Sequence, residues 1–552
     1  MALDLTPEQK AVGAGNFQRV VGKMAEADRA ANRREFMQGL IGAGAIVPIT
    51  AAAYYGYGRD ASFTSMRGHP VKAALIGCGD EGGVLANEHD PNYVNIVAVS
   101  DIRPSNLKRI FDGDVPANAR RRGLKYHYGH NADKDIKVFE KYQDLLADRD
   151  LGIEMVIIAL PLPLHHKAVM DCLKSERIKG VLCEKLMAWN VTQCKEMIRE
   201  ADNQHKLLAI GHQRHYSTLY AHANEVVQSG ILGDIRYIRA LWHRNNAVPR
   251  LDSNGHPMME TYNTKQIPVY KDSWRKAIPA EDAAAIGSRV RDFGWKDMNE
   301  LVRWRLYRRT GGGLMVELGS HQLDACSIFL GKKHPIAVSG VGGKNFYQDE
   351  RECEDNIYCT FEFPGAHYEP GHPHYGPDGK TIYNDIVNVT YSSISNNAFE
   401  AYGECVMGSK GTMVTEREQA VYLYGGAGRS TEVTANASGG RPAIEASSST
   451  APIEKRAQEV GAGSIGPTVS YGYTEELTHM AYCIKNREAG LANPEDPRYK
   501  PRCDGRAAMA DAIIALTANQ AMRRNQRIVF KSEWFDASKP DVPDPDMQAE
   551  PA

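Results

Sequence analysis

Cysteine is scarce in this chain. Ten in 552 residues are too few and too irregularly spaced for a disulfide scaffold or a zinc ribbon. An excess of either charge is missing too: 66 Lys and Arg face 68 Asp and Glu, a formal net charge of −2. That excludes the basic surface of a protein that tracks nucleic acid, so no nucleic-acid partner is expected. No apolar run reaches the roughly 18–20 residues of a membrane-spanning helix. What is present, 42% apolar and 24% charged residues, is ordinary for a soluble enzyme or binding protein.

The first 69 residues read as an address and a linker. Residues 32–37 are NRREFM, and a modest apolar stretch runs from Leu40 to Ala53. Paired arginines before a phenylalanine and a short, Ala- and Gly-rich apolar run resemble a twin-arginine export signal. Ala51-Ala52-Ala53 would suit a signal peptidase, although Asn32 and a long preceding arm depart from the usual pattern. The expected partner is then the twin-arginine export machinery, and the expected location is periplasmic, with anchoring if the signal stays uncleaved. That route carries folded proteins. Cys78, Cys172, Cys183 and Cys194 sit in predicted core elements and read as packing residues, and a Cys353–Cys359 disulfide is not expected.

Residues 70–213 carry a dinucleotide-binding pattern. VKAALIG (71–77) is an apolar strand, followed by GCGDEG with Gly77, Gly79 and Gly82. A second strand, Tyr93–Val99, ends at Asp101, 24 residues past Gly77. A strand before the glycines, a helix after them and an acid at the next strand end make the pattern specific. Gly77 permits the turn, Gly79 lets a pyrophosphate approach, and Gly82 allows close helix–strand packing. Asp80 and Glu81 open the helix whose N-terminus favours phosphate. Asp101 suits the adenosine ribose hydroxyls and would repel a 2′-phosphate, which favours NAD over NADP. Arg103 weakens that preference, because a nearby guanidinium could accept the phosphate. Strands at Glu154–Leu160, Gly180–Glu184 and Lys206–Gly211 alternate with helices at Leu164–Lys174 and Val191–Asn203, the signature of a parallel sheet whose strand C-termini bind ligand.

At two of those strand ends stand ALPLPLH, with Leu160 and His165, and CEKL, with Glu184 and Lys185. Further on, GGGLMVELGSHQLD (311–324) places Glu317 and His321 four apart, with Asp324 beyond. Together with GHQRHYS (211–217), WHRNN (242–246), VRWRLYRRTGGG (302–313) and ECVMGSKGTM (404–413), these segments resemble the Gfo/Idh/MocA oxidoreductases, in an exported, sugar-directed branch. Leu160, Leu186 and Glu317 depart from the family's usual Thr, Pro and Asp. The resemblance implies an α/β fold: an N-terminal Rossmann domain, then a C-terminal α+β domain over 214–545 with a large, mostly antiparallel open sheet. It also implies a homodimer or homotetramer built on that sheet. Strand-like runs at Ile235–Trp242, Ile336–Gly340, Ile357–Phe363, Ile386–Ser392 and Ala420–Tyr424 agree with such a domain.

Hydride transfer from a carbinol needs a base on the hydroxyl and a cation beside the developing alkoxide. His321 suits the base near neutral pH. Lys185 would polarise the oxygen, and Glu317 could orient His321 or bind a neighbouring hydroxyl. At i, i+4 on a helix, Glu317 and His321 would share a face. Leu160, His165, Glu184, Lys185 and Gln213 are expected beside the cofactor, with Glu184 positioning Lys185. Trp stacks on a pyranose and Arg forks bind vicinal hydroxyls, so Arg214, His243, Arg244, Trp274, Arg275, Trp304 and Arg305 are candidates for the sugar site. Tyr216 is a weaker acid–base candidate. No metal is expected, despite the histidines at 367, 372 and 374.

Residues 425–470 hold Gly, Ala or Ser at 23 of 46 positions, the composition of a flexible insertion. Helices are expected at Tyr473–Ile484 and Arg506–Arg523. With leader and insertion set apart, the remaining length suits two domains. The leading expectation is an exported NAD-dependent oxidoreductase acting on a sugar, glycoside or polyol hydroxyl. Because free NAD is not expected outside the cytoplasm, the cofactor should be loaded before export and retained through turnover. Two alternatives stand beside it: an NAD-dependent glycoside-cleaving enzyme working by oxidation, elimination and hydration, and a non-catalytic carbohydrate sensor on the same fold.

Overall fold

The computed structural model describes residues 5–30, 68–115, 120–368, 385–426, 433–438, 441–446, 471–490 and 496–543. The arginine pair and the apolar run after it lie outside the described residues, as does most of 425–470. Among the described residues no helix is long and apolar enough to cross a membrane.

The first sheet has six parallel strands: β1 (Val71–Ile76), β2 (Val94–Ser100), β3 (Lys137–Phe139), β4 (Met155–Ile158), β5 (Gly180–Glu184) and β6 (Leu207–Gly211). Their order is β3-β2-β1-β4-β5-β6. Every residue of β4, β5 and β6 is buried, because helices cover both faces of a doubly wound sheet. The reversal of strand order beside β1 opens the crevice in which such sheets bind ligands.

The second sheet has eight strands: β7 (Ile235–His243), β10 (Ala337–Gly343), β11 (Asn356–Pro364), β12 (Ile386–Ile394), β13 (Tyr402–Gly408), β14 (Gly411–Glu416), β15 (Ala420–Gly425) and β18 (Ile528–Val529). Their order is β15-β14-β13-β7-β12-β11-β10-β18. All pairs are antiparallel except β7 with β12. On β11 and β12 the side chains alternate, so Cys359 pairs with Tyr391 and Phe361 with Val389 on the buried face. β8 (Met259–Tyr262) and β9 (Lys265–Pro268) form a separate hairpin. Within the expected flexible insertion, β16 (Val433–Ser438) and β17 (Arg441–Ala446) also pair antiparallel.

Two segments depart from the expected division. Residues Pro7–Ala30, expected as part of a leader, form helix α1 against edge strand β15. Phe17 and Val20, each 1% exposed, enter the main core, and Leu5 joins Tyr422 and Tyr424 on the other side of that edge. Asn16 Nδ2 donates to the Leu423 carbonyl at 2.9 Å, and Lys10 reaches Glu416 at 2.7 Å. A side chain on Gly13 would strike the Tyr424 ring. Covering an edge strand in this way blocks strand addition by other chains. The second departure is Tyr473–Glu488. Its Leu477, Met480 and Ile484 pack with Val71, Leu75 and Leu182 of the Rossmann sheet, so the chain returns to the first domain after the insertion. All ten cysteines are buried.

Candidate active site

A cavity of about 1100 Å³ lies between the two domains. Its Rossmann wall is built by backbone. Gly77 has φ +94°, where any Cβ would also lie 2.4 Å from the Ala159 carbonyl. A Cβ on Gly82 would sit 2.0 Å from the Gly77 carbonyl, so helix α2 (Asp80–Glu88) approaches the turn as only glycine allows. Above Gly79 the space is open, and no side chain caps this helix. Asp80 would oppose a phosphate, but Arg109, Arg121 and Lys276 surround it. Burial pushes the Asp80 carboxyl upward, and the three cations outweigh this and hold it far below the usual range. Asp114 also pairs with both arginines, so three cations against two carboxylates leave a local excess of one positive charge where a pyrophosphate would rest. These features fit a dinucleotide.

Asp101 lines the cavity and accepts from Cys78 N–H at 2.8 Å, Arg103 N–H at 2.8 Å and Asn106 Nδ2 at 3.0 Å. Burial raises its carboxyl despite these bonds. Leu160, His165, Glu184 and Lys185 also line it. His165 spans the Leu160 and Leu186 carbonyls at 2.8 Å each, tying two strand-end loops together. The Lys185–Leu186 peptide is cis.

Lys185 Nζ donates to the Glu317 carbonyl at 2.8 Å. Burial lowers its affinity for the proton, against the opposing fields of Glu317 and Glu184. The Glu184 carboxylate accepts the Lys185 N–H at 3.2 Å. Its Oε1 has no hydrogen-bond partner among the described residues, and burial followed by the field of Glu81 pushes it well up. Glu317 and His321 face the same cavity, but the helix between them is not regular. Met315–Gly319 is a π-turn that feeds the α-helix Ser320–Phe329, a distortion common at functional sites. Glu317 does not orient His321; its Oε2 accepts from Arg305 Nε at 2.7 Å. His321 lies 5.3 Å from the Trp242 ring centre. Burial, then the charges of Lys185 and Arg214, hold its imidazole well below its ordinary pKa, leaving it a neutral base.

The second-domain wall brings in Arg244, Trp274, Trp304 and Arg305. Arg305 stacks on Trp304 at 4.2 Å and Arg244 on Trp242 at 4.9 Å. Four expected residues fall elsewhere. Arg214 is buried in an ion cluster, with Nε 2.9 Å from Glu418 and Nη1 3.2 Å from Glu404; two carboxylates in the core need that cation. His243 bonds the Phe399 carbonyl at 2.9 Å and Ser392 Oγ at 3.0 Å, Arg275 is taken by Glu350 and Glu260, and Gln213 is buried behind the cavity. Gly82 shapes the turn without lining it. Tyr216 is buried against His479 and Arg502.

Sequence reasoning missed Arg109, Arg121, Lys276 and Tyr473 in the lining. Lys276 directly follows the Trp274–Arg275 pair and could have been found there. The others carry no local motif. Residues 272–305 form a strap that contributes to the cavity lining and packs on the Rossmann domain: Ile286, Val290, Trp295 and Leu301 cluster, with Ile102 and Leu164 of that domain against them. Outside the cavity, His212, His215, Asp324, Asp511 and Cys503 form a buried group, with the Lys332 ammonium 2.7 Å from Asp324 and 3.3 Å from Asp511.

A glycine-turned parallel sheet facing a mixed-sheet domain across a shared cavity defines the class of two-domain, dinucleotide-binding oxidoreductase folds. Residues 71–212 match the oxidoreductase family model for the NAD-binding Rossmann fold. Residues 285–369 match the GFO/IDH/MocA C-terminal domain. These two segments are thus similar to the GFO/IDH/MocA oxidoreductases. It is 33% identical to inositol 2-dehydrogenase of Rubrobacter xylanophilus over 33% of this chain and 46% of that protein. To trans-1,2-dihydrobenzene-1,2-diol dehydrogenase of Mus musculus it is 24% identical, over 42% and 51%. The chain thus spans about half the length of these curated relatives. The solved inositol dehydrogenase homolog from Azotobacter vinelandii, complexed with NADH and myo-inositol, shares the fold at TM-score 0.52 and 15% identity, over 84% of this chain and 98% of that one. Aldose-aldose oxidoreductase from Caulobacter crescentus does so at 0.50 and 16%, over 84% and 100%.

Proposed function

We propose that the chain is an NAD-dependent oxidoreductase acting on a hydroxyl of a sugar, glycoside or polyol. The observation that carries this reading is the convergence of Lys185, Glu317 and His321 on the cavity that holds the glycine-rich turn. The nicotinamide, when bound, supplies the hydride acceptor or donor. His321, kept neutral by its surroundings, accepts the hydroxyl proton. The Lys185 ammonium, fixed by its bond to the Glu317 carbonyl, stabilises the negative charge that develops on the reacting oxygen. The Arg305–Glu317 pair and Arg244 offer polar partners to flanking hydroxyls, and Trp274 and Trp304 offer ring faces. Relatives named for a polyol and a dihydrodiol support a substrate with neighbouring hydroxyls.

The strap supports retention of the cofactor, since Lys276, Asp282 and Arg289 each bind a Rossmann-domain side chain. Export by the twin-arginine route rests on residues 32–53. Cleavage after Ala53 would sever α1 from the chain whose core it joins, so an uncleaved signal is the reading we favour. A homodimer or homotetramer is supported by Val341 and Tyr358, 56% and 50% exposed on adjacent strands β10 and β11.

Mass spectrometry of the purified protein, before and after incubation with polyols, sugars and glycosides, tests the reading. Near-stoichiometric NAD(H) and a keto product are expected. A cleaved aglycone would favour the glycoside-cleaving alternative. Absence of both nucleotide binding and turnover would overturn the proposal.

A further inference from the structure

Arg103 stands two residues past Asp101, just beyond the end of β2, where a guanidinium would ordinarily welcome the 2′-phosphate of NADP. The structure shows what that cation does instead. Asp282, in the first turn of the short strap helix Ala280–Ile286, is 0% exposed. Its carboxylate accepts from Arg103 Nε at 2.8 Å, from Ser105 N–H at 2.9 Å and from Ser105 Oγ at 2.7 Å. A side-chain cation, a hydroxyl and a backbone N–H in the first turn of Pro104–Asp112 are the donors that bind a phosphate in other proteins. Arg103 and Ser105 both line the cavity, and Arg103 N–H also holds Asp101.

We propose that Asp282 is a cofactor-specificity residue: its carboxylate, delivered by the second domain, fills the anion-binding position beside Asp101 and so excludes NADP. With Asp282 in place, Arg103 is matched by one carboxylate and Asp101 adds a second, giving the ribose edge a net negative charge. A phosphate bearing close to two negative charges meets repulsion there and finds its donors already engaged. NAD, which has only hydroxyls at that edge, is unaffected. The strap thus determines which dinucleotide enters. The inference rests on the dinucleotide reading above.

The test is a competition. Wild type, Asp282→Asn and Asp282→Ala, each full-length and checked for a cooperative melt, are equilibrated with equal excesses of NAD and NADP. After desalting, bound nucleotide is identified by mass spectrometry. Wild type should carry NAD. The bound NADP:NAD ratio should rise about tenfold or more in Asp282→Asn, the scale of one charge-assisted bond gained, and further in Asp282→Ala, where the space opens. Adding Arg103→Met to either variant should cancel the gain. An unchanged ratio in a folded Asp282 variant, or a wild type that already takes NADP, would overturn the inference. A wild type that binds neither nucleotide would overturn the dinucleotide reading, and this inference with it.

Discussion

The two walls of the cavity are made in different ways. The Rossmann wall is backbone: a positive-φ glycine, a helix packed against a carbonyl, and strand ends whose residues lie within short sequence windows. The second-domain wall is side chains gathered from residues 244, 274, 276, 304, 305, 317, 318 and 321, held by ion pairs that cross between elements. A local backbone device imposes a local sequence pattern. An assembled side-chain wall imposes none, because any aromatic or arginine near the right strand could have been recruited.

If the Rossmann wall depends on backbone approach, its most damaging substitution is the smallest one. Gly82→Ala places a methyl group 2.0 Å from the Gly77 carbonyl, and the purified variant should retain essentially no nucleotide by mass spectrometry. A normal content would break the contrast at its stronger side. On the other wall, Arg214→Met leaves Glu404 and Glu418 without their buried cation. Chemical denaturation should register a loss of about 3 kcal/mol; KM of the surviving enzyme stays unchanged, while kcat falls, because Arg214 also donates to the His321 carbonyl and its charge adds to burial and Lys185 in lowering the His321 pKa. A raised KM at full stability would return Arg214 to the substrate site.

The pH profile tests the proposed Lys185–His321 pair. A His321 held well below 6.5 is unprotonated down to that lower value, so the acid limb of kcat/KM should fall below pH 6.5. A Lys185 lowered from 10.5 loses its charge earlier, so the alkaline limb should lie below pH 10.5. Both limbs at ordinary values would mean that neither group is as enclosed as the structure describes. The smallest effect belongs to His243→Ala, whose ring is satisfied by Phe399 and Ser392 away from the cavity. It should alter KM by less than about twofold.

The same contrast explains what the sequence reveals. Strand β5 and helix Val191–Asn203 match their expected limits, because apolar runs and an Asn cap mark them. Lys185, Glu317 and His321 were legible from motif and family resemblance. Arg214 and Arg275 were misjudged because an arginine beside an aromatic looks the same whether it faces a sugar or a buried glutamate; only the partner, some 75 to 204 residues away in the chain, decides. Helix α1 escaped notice because its apolar positions are few and its partner strand lies about 400 residues on. Asp282 was invisible for the same reason, being 179 residues from the guanidinium it binds.

The central claim is that one cavity joins an NAD site to a Lys185–His321 pair acting on a hydroxyl. Its most direct test is a single-turnover measurement of nicotinamide reduction, with a polyol and sugar panel, on wild type, Lys185→Ala and His321→Ala, each first shown to carry nucleotide. The account predicts reduction in wild type and a fall of about a hundredfold or more in both variants at equal nucleotide content. Equal rates in all three proteins would contradict it.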